Sequence, residues 1–103
     1  MTRDEILNIP AGRVLDALVD KYIIKLAYEF PAGMWNGLHT YSTDIAAAWQ
    51  VVEKMQSFEL EMDYQGSWRA YVNFPGEEWY SSIGDTAPLA ICRAALLAVM
   101  EAS

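Results

Sequence analysis

Apolar positions change their period along the chain, and each period predicts an element. Thr2-Arg3-Asp4-Glu5 has the form of a capping box at the start of a first turn. Pro10 suits a helix's first turn, where its missing N–H costs nothing. Val14, Leu15, Leu18, Tyr22 and Leu26 then recur at helical spacing, with Arg13, Asp16 and Asp20 elsewhere on the wheel. This predicts a helix from about Ala11 to about Ile24. Tyr28 to Tyr41 (YEFPAGMWNGLHTY) has no clear period and carries Pro31, Gly33 and Gly37, so it reads as a long loop, alternatively with a short strand at either end, with Trp35 as an exposed aromatic. Ser42 or Thr43 is the expected cap of a second helix with Asp44 in its first turn. Ile45, Trp49, Val52 and Met55 form its predicted buried stripe, and Ala46, Ala47 and Ala48 let another element approach closely.

The period then drops to two. Phe58-Glu59-Leu60-Glu61-Met62-Asp63-Tyr64 alternates strictly, as does Ser67 to Phe74, with Trp68, Ala70, Val72 and Phe74 on one face. A two-residue turn would put the two apolar sets on opposite faces. A three-residue Gln65-Gly66-Ser67 loop instead pairs Tyr64 with Trp68, Met62 with Ala70, Leu60 with Val72 and Phe58 with Phe74. It also sets Asp63 opposite Arg69, and it places Gly66 or Ser67 at the left-handed position. Pro75-Gly76 turns the chain toward a weaker third strand near Trp79 to Ile83. The last helix begins after Thr86, its expected cap, with Pro88 in the first turn. The order is helix, loop, helix, three strands, helix. We therefore expect one α+β domain over residues 1–103, an antiparallel meander with helices packed on it.

Arg93 interrupts the oiliest run. Leu89, Leu96, Leu97 and Met100 lie within about 60° of it on the wheel, so it shares the core-facing stripe. Its guanidinium must reach an edge or meet a carboxylate or carbonyl. Asp44 is the preferred partner and Asp85 the alternative for an anchor at the core's edge; the competing reading is a contact to an anionic ligand at the adjacent helix start.

Composition narrows the partners. The net charge is −7, with seven Lys plus Arg against 14 Asp plus Glu. Such a chain repels phosphate backbones and anionic lipid, and it suits a basic protein partner. Helix–three strands–helix is also the order of double-stranded RNA-binding domains, but the last helix has no cation in its first turn, so no direct nucleic-acid binding is expected. The run from Ala87 to Met100 falls short of the ~20 apolar residues a spanning helix needs, and MTRDEILNIPAG has no apolar signal region. A membrane location is therefore not expected, and a cytoplasmic one is.

Candidate chemistry is sparse. One Cys and one His cannot build a structural zinc site, so no metal and no cofactor is expected. Cys92 lies on an apolar helix face and reads as inert packing. His39, Ser42 and Asp44 are adjacent in sequence, which is not triad geometry, and capping accounts for the last two. Gly33 to Gly37 lacks the Lys and the strand-to-helix setting of a phosphate loop. No enzyme signature results. Two surfaces remain as candidates. One is an acidic face of Glu59, Glu61 and Asp63, joined by Glu77 and Glu78. The other draws on the thirteen aromatics, more than so small a core comfortably buries: Trp35, Tyr41, Tyr71, Trp79 and Tyr80 are candidates for a binding surface or a homo-oligomer interface.

Three segments, PAGRVLDALV (Pro10–Val19), YSTDIAAAWQVVEKM (Tyr41–Met55) and TAPLAICRAALLAVME (Thr86–Glu101), together resemble the phage ABA-sandwich domain family, small proteins of phages and prophages of Gram-positive bacteria. The Trp-containing strand between them also fits. The resemblance implies a helix–sheet–helix arrangement and brings no catalytic residues with it. It implies a non-enzymatic phage protein made in the host cytoplasm that binds a host component, with two mechanisms in view. In the first, the acidic face occupies a basic groove on a host nucleic-acid enzyme and so counters host defence. In the second, a homo-oligomer sequesters a small nucleotide signal, with Trp35, Tyr41, Ser42 and Arg93 around the pocket. A structural role in the phage particle is the third reading.

Overall fold

The structure is a computed structural model that describes residues 2–24, 40–73 and 78–102. Among the described residues four α-helices and three strands are formed: α1 (Arg3–Asn8), α2 (Arg13–Val19) continued by a π-helical turn (Asp20–Ile24), α3 (Ile45–Val52), β1 (Ser57–Met62), β2 (Trp68–Asn73), β3 (Tyr80–Gly84) and α4 (Ala87–Ala102). The strands form an antiparallel meander in the order β1-β2-β3. This is the expected α+β class.

Local chemistry sets the helix ends. The Thr2 hydroxyl accepts from the Glu5 N–H at 3.2 Å while Glu5 Oε1 accepts from the Thr2 N–H at 3.0 Å, the capping box that starts α1. The Thr2 backbone N–H, and after it the Thr2 side chain, hold the Glu5 carboxyl below the usual carboxylate range. Pro10 does not open the next helix: it lies between α1 and α2, which starts at Arg13. Asp44, not Ser42 or Thr43, caps α3, its carboxylate accepting from the Ala46 N–H at 3.0 Å. Thr86 accepts from the Leu89 N–H at 3.4 Å at the start of α4, as expected.

The expected three-residue hairpin loop forms one residue earlier. Met62 pairs with Trp68, Leu60 with Ala70 and Phe58 with Val72, and Asp63 N–H donates to Ser67 O at 2.9 Å. The loop is thus Tyr64-Gln65-Gly66, with Gly66 at φ +91°. Moving the loop by one residue shifts the pairing by two and keeps both apolar sets on the same face. The shift is driven by Asp63: its Oδ1 accepts from the N–H groups of Gln65 at 2.8 Å and Ser67 at 3.0 Å, which closes the loop around this side chain. Arg69 consequently faces Glu61 rather than Asp63.

Helix α4 lies against both the sheet and the other helices. One side lies on β2 and β3; α1, α2 and α3 pack on it from elsewhere. A helix surrounded in this way is buried nearly all round, and Leu89 to Ala98 are buried except for Arg93. Small residues at Ala90, Ala94, Ala95 and Ala98 permit the close approach. Helix α3 reaches α4 through its buried Ala47, Ala48 and Val51, so the predicted stripe is rotated: Ile45 and Trp49 are about half exposed. Trp49 instead meets Phe58 of β1 edge-on, ring centres 5.8 Å apart.

Candidate functional site

Arg93 is an anchor. Its Nε donates to Ile9 O at 2.8 Å and a terminal nitrogen donates to Ile83 O at 2.9 Å. The expected Asp44 carboxylate is not its partner, because two carbonyls converge on the guanidinium first. One belongs to the segment after α1 and the other to β3, so one side chain ties three elements together. Burial lowers its pKa, and the nearby Asp85 charge opposes that shift.

Tyr41 and Ser42 are not at the surface. Both are fully buried, and each meets a buried aspartate of the α2 segment. The Ser42 N–H and hydroxyl donate to Asp16 Oδ1 at 2.8 and 2.7 Å, and Ser42 Oγ accepts from the Gly12 N–H at 2.9 Å. The Tyr41 hydroxyl donates to Asp20 Oδ1 at 3.2 Å, while among the described residues buried Asp20 Oδ2 has no hydrogen bond. Burial first, and Asp20 second, push the Tyr41 phenol up. The buried Cys92 thiol is likewise pushed up, chiefly by burial and then by Asp16. The helical-wheel reading placed Asp16 and Asp20 outside; the buried stripe is instead Leu15, Asp16, Val19, Asp20 and Ile23, and Val14 is exposed. Their spacing of four, next to the Leu15-Val19-Ile23 stripe, was the available signal. Trp35 lies outside the described residues, and Tyr41 and Ser42 are buried against aspartates while Arg93 holds two carbonyls.

The acidic residues have a different setting. Residues 59, 61, 69, 71, 81 and 83 share the sheet face turned away from α4, since antiparallel partners point the same way. Glu59, Glu61, Arg69 and Ile83 are exposed there. Glu61 Oε1 accepts from the Tyr71 hydroxyl at 2.8 Å, and this bond, ahead of burial, raises the Tyr71 pKa. Arg69 donates to Ser81 Oγ at 3.4 Å. Two shallow grooves meet at Arg69 and Ile83. One, of about 390 Å³, runs toward Glu61 and the hairpin; the other, of about 490 Å³, runs toward Arg3 and Leu7 of α1. Asp63 is committed to the hairpin loop, and Glu78 lies at the other end, its carboxylate accepting from the Tyr80 hydroxyl at 3.1 Å. Glu77 lies outside the described residues. Of the aromatic set, Tyr71 and Tyr80 are half-buried and Trp79 is exposed. Among the described residues no three His, Cys, Asp or Glu side chains gather to hold a metal ion, and no helix is long and apolar enough to cross a membrane.

What the fold and this surface define is a small α+β domain with an exposed, acidic sheet face. The chain belongs to the phage ABA sandwich domain family, whose model matches residues 11–96. It is similar to the crystal structure of a phage protein from Bacillus cereus ATCC 14579, with 28% identity and a TM-score of 0.71 over 89% of this chain and 95% of that one. No curated protein matches it.

Proposed function

We propose that this chain is a non-enzymatic phage accessory protein that binds a basic host protein in the host cytoplasm through the outer, acidic face of its sheet. The observation that carries this reading is the exposed pair Glu59 and Glu61 on a face turned away from α4, beside the exposed Ile83. Carboxylates on β1, with the exposed Ile83 across Arg69 on β3, complement a cationic surface with an apolar spot. The net charge of −7 steers the same class of partner toward it. A basic groove on a host nucleic-acid enzyme is the expected target, and its occupation would counter host defence. The small-nucleotide reading has less support: Tyr41 and Ser42 are buried against aspartates, and Arg93 already holds two carbonyls.

The test is a double charge reversal, Glu59→Lys with Glu61→Lys, in the tagged protein expressed during infection or lysogeny. The wild type should co-purify a basic host polypeptide and the variant should lose it, with an unchanged thermal midpoint showing that the fold persists. Equal capture and an unchanged phage phenotype would end this reading.

A further inference from the structure

A three-stranded meander has two edges, and this one treats them differently. Asp63 points its backbone N–H at Ser67 O, and inward- and outward-pointing residues alternate along an antiparallel ladder. Glu61 with Arg69 and Glu59 with Tyr71 are therefore hydrogen-bonded pairs, and the backbone N–H and C=O groups of Phe58, Leu60 and Met62 point off the edge of β1 that no described strand pairs. Carrying the same phase across β2 makes Ile83 an outward-pointing residue of β3. Its carbonyl is the one that Arg93 holds at 2.9 Å, an independent check of the phase. Arg93 thus occupies the Ile83 carbonyl on the β3 edge. Among the described residues no hydrogen bond reaches the outward backbone groups of β1.

Helix α3 also reaches β1 through a ring contact. Ile45 and Trp49 stand one turn apart on α3, both about half exposed, and Trp49 touches Phe58. A strand added to β1 would lay its inward side chains on the same face as Phe58, which Trp49 touches, and Met62, itself more than half exposed. Its outward side chains would stand beside Glu59 and Glu61. We infer that the open edge of β1 and the Ile45–Trp49 strip of α3 accept one extended protein segment that alternates apolar residues with Lys or Arg, added as a fourth strand. This rests on the proposed acidic-face function and specifies how the basic partner is held.

Charge decides against a second copy as the occupant. Antiparallel pairing of β1 with another β1 must set outward residues 58, 60 and 62 against one another. Centred on Leu60, this places Glu59 against Glu61 twice; a shift of two places Glu59 on Glu59 or Glu61 on Glu61. Like charges directly opposite destabilise a pair in each case, whereas Lys or Arg there is favourable.

The experiment uses the full chain and three capped peptides of about seven residues: alternating Val and Lys, alternating Val and Glu, and the Val–Lys peptide N-methylated at its strand-pairing amides. Binding is read by Trp fluorescence, with Trp49→Ala as control, and by amide exchange residue by residue. The Val–Lys peptide should bind and slow exchange at Phe58, Leu60 and Met62. N-methylation should weaken it by about tenfold or more, the loss of one or two net hydrogen bonds. The Val–Glu peptide should not bind. Undiminished binding of the N-methylated peptide, or protection elsewhere, would overturn strand addition while leaving the acidic-face function standing. Equal binding of the Val–Glu peptide would overturn both. Protection of the same three amides in the protein alone, with a dimeric mass, would make the occupant a second copy and overturn the inference.

Discussion

Tyr41 and Ser42 are neighbours in sequence, and each closes a buried contact to an aspartate four residues from the other. A buried carboxylate is tolerable only while its hydrogen bonds persist, so these residues pin the chain entering α3 to the α2 segment. Tyr41→Phe removes the described donor of Asp20 and should cost about 1–3 kcal/mol of stability in urea unfolding near neutral pH. It should also change the alkaline limb. The fold favours the neutral phenol and raises its pKa above the ordinary 10.0. The corresponding stability is therefore complete below pH 10 and is lost as pH rises beyond it. Phe has no such proton, so the variant's stability should fall less steeply above pH 10 than the wild type's. Arg93 offers a second prediction at this scale. Arg93→Met leaves the Ile9 and Ile83 carbonyls without their donor and should destabilise by roughly 2 kcal/mol. Arg93→Lys, with a single ammonium in place of a planar fork, should recover only part of that loss.

At the scale of elements, the hairpin and α4 were legible in the sequence because their signals are local. Alternation gave β1 and β2 their common apolar face, and Thr86 with Pro88 marked the start of α4. The loop position was not legible, since it depends on which carboxylate wraps the turn, and alternation is unchanged when Asp63 does so. The faces of α2 and α3 were misread for a related reason. A wheel ranks residues by hydropathy, but α3 packs on α4 through alanines, where close backbone approach outweighs side-chain size, and Trp49 is left at the margin. The open acidic face was half legible: the Glu59–Glu61 alternation gave the face, but not that Arg93 occupies the Ile83 carbonyl on the β3 edge. Gly84 shows how tight the strand-to-helix corner is. A Cβ there would come within 2.9 Å of the Ala90 backbone N and 3.0 Å of Leu89 Cγ. The backbone of α4 cannot yield without lifting off β3, so Gly84→Ala should lower stability by about 1–3 kcal/mol, measured as a fall in denaturation midpoint.

At the scale of the whole molecule, seven cations against 14 carboxylates make a field rather than a set of contacts. The molecule extends 43 × 29 × 24 Å. At 0.01 M salt the Debye length is about 30 Å, so a cationic partner meets the summed charge; at 0.15 M it is about 8 Å, and only nearby carboxylates count. The on-rate of the alternating Val–Lys peptide should therefore fall about tenfold or more between those salt concentrations, while its off-rate changes far less. A remote neutralisation separates field from contact. Asp4→Asn, on the exposed side of α1, should slow association measurably at low salt and leave it unchanged at 0.15 M. Glu61→Gln, on the binding face, should slow it at both and also shorten the bound lifetime. Stopped-flow fluorescence at the two salt concentrations reads all of these rates. An on-rate insensitive to salt would mean that apolar contact at Ile45 and Trp49 carries recognition and that the acidic face does not.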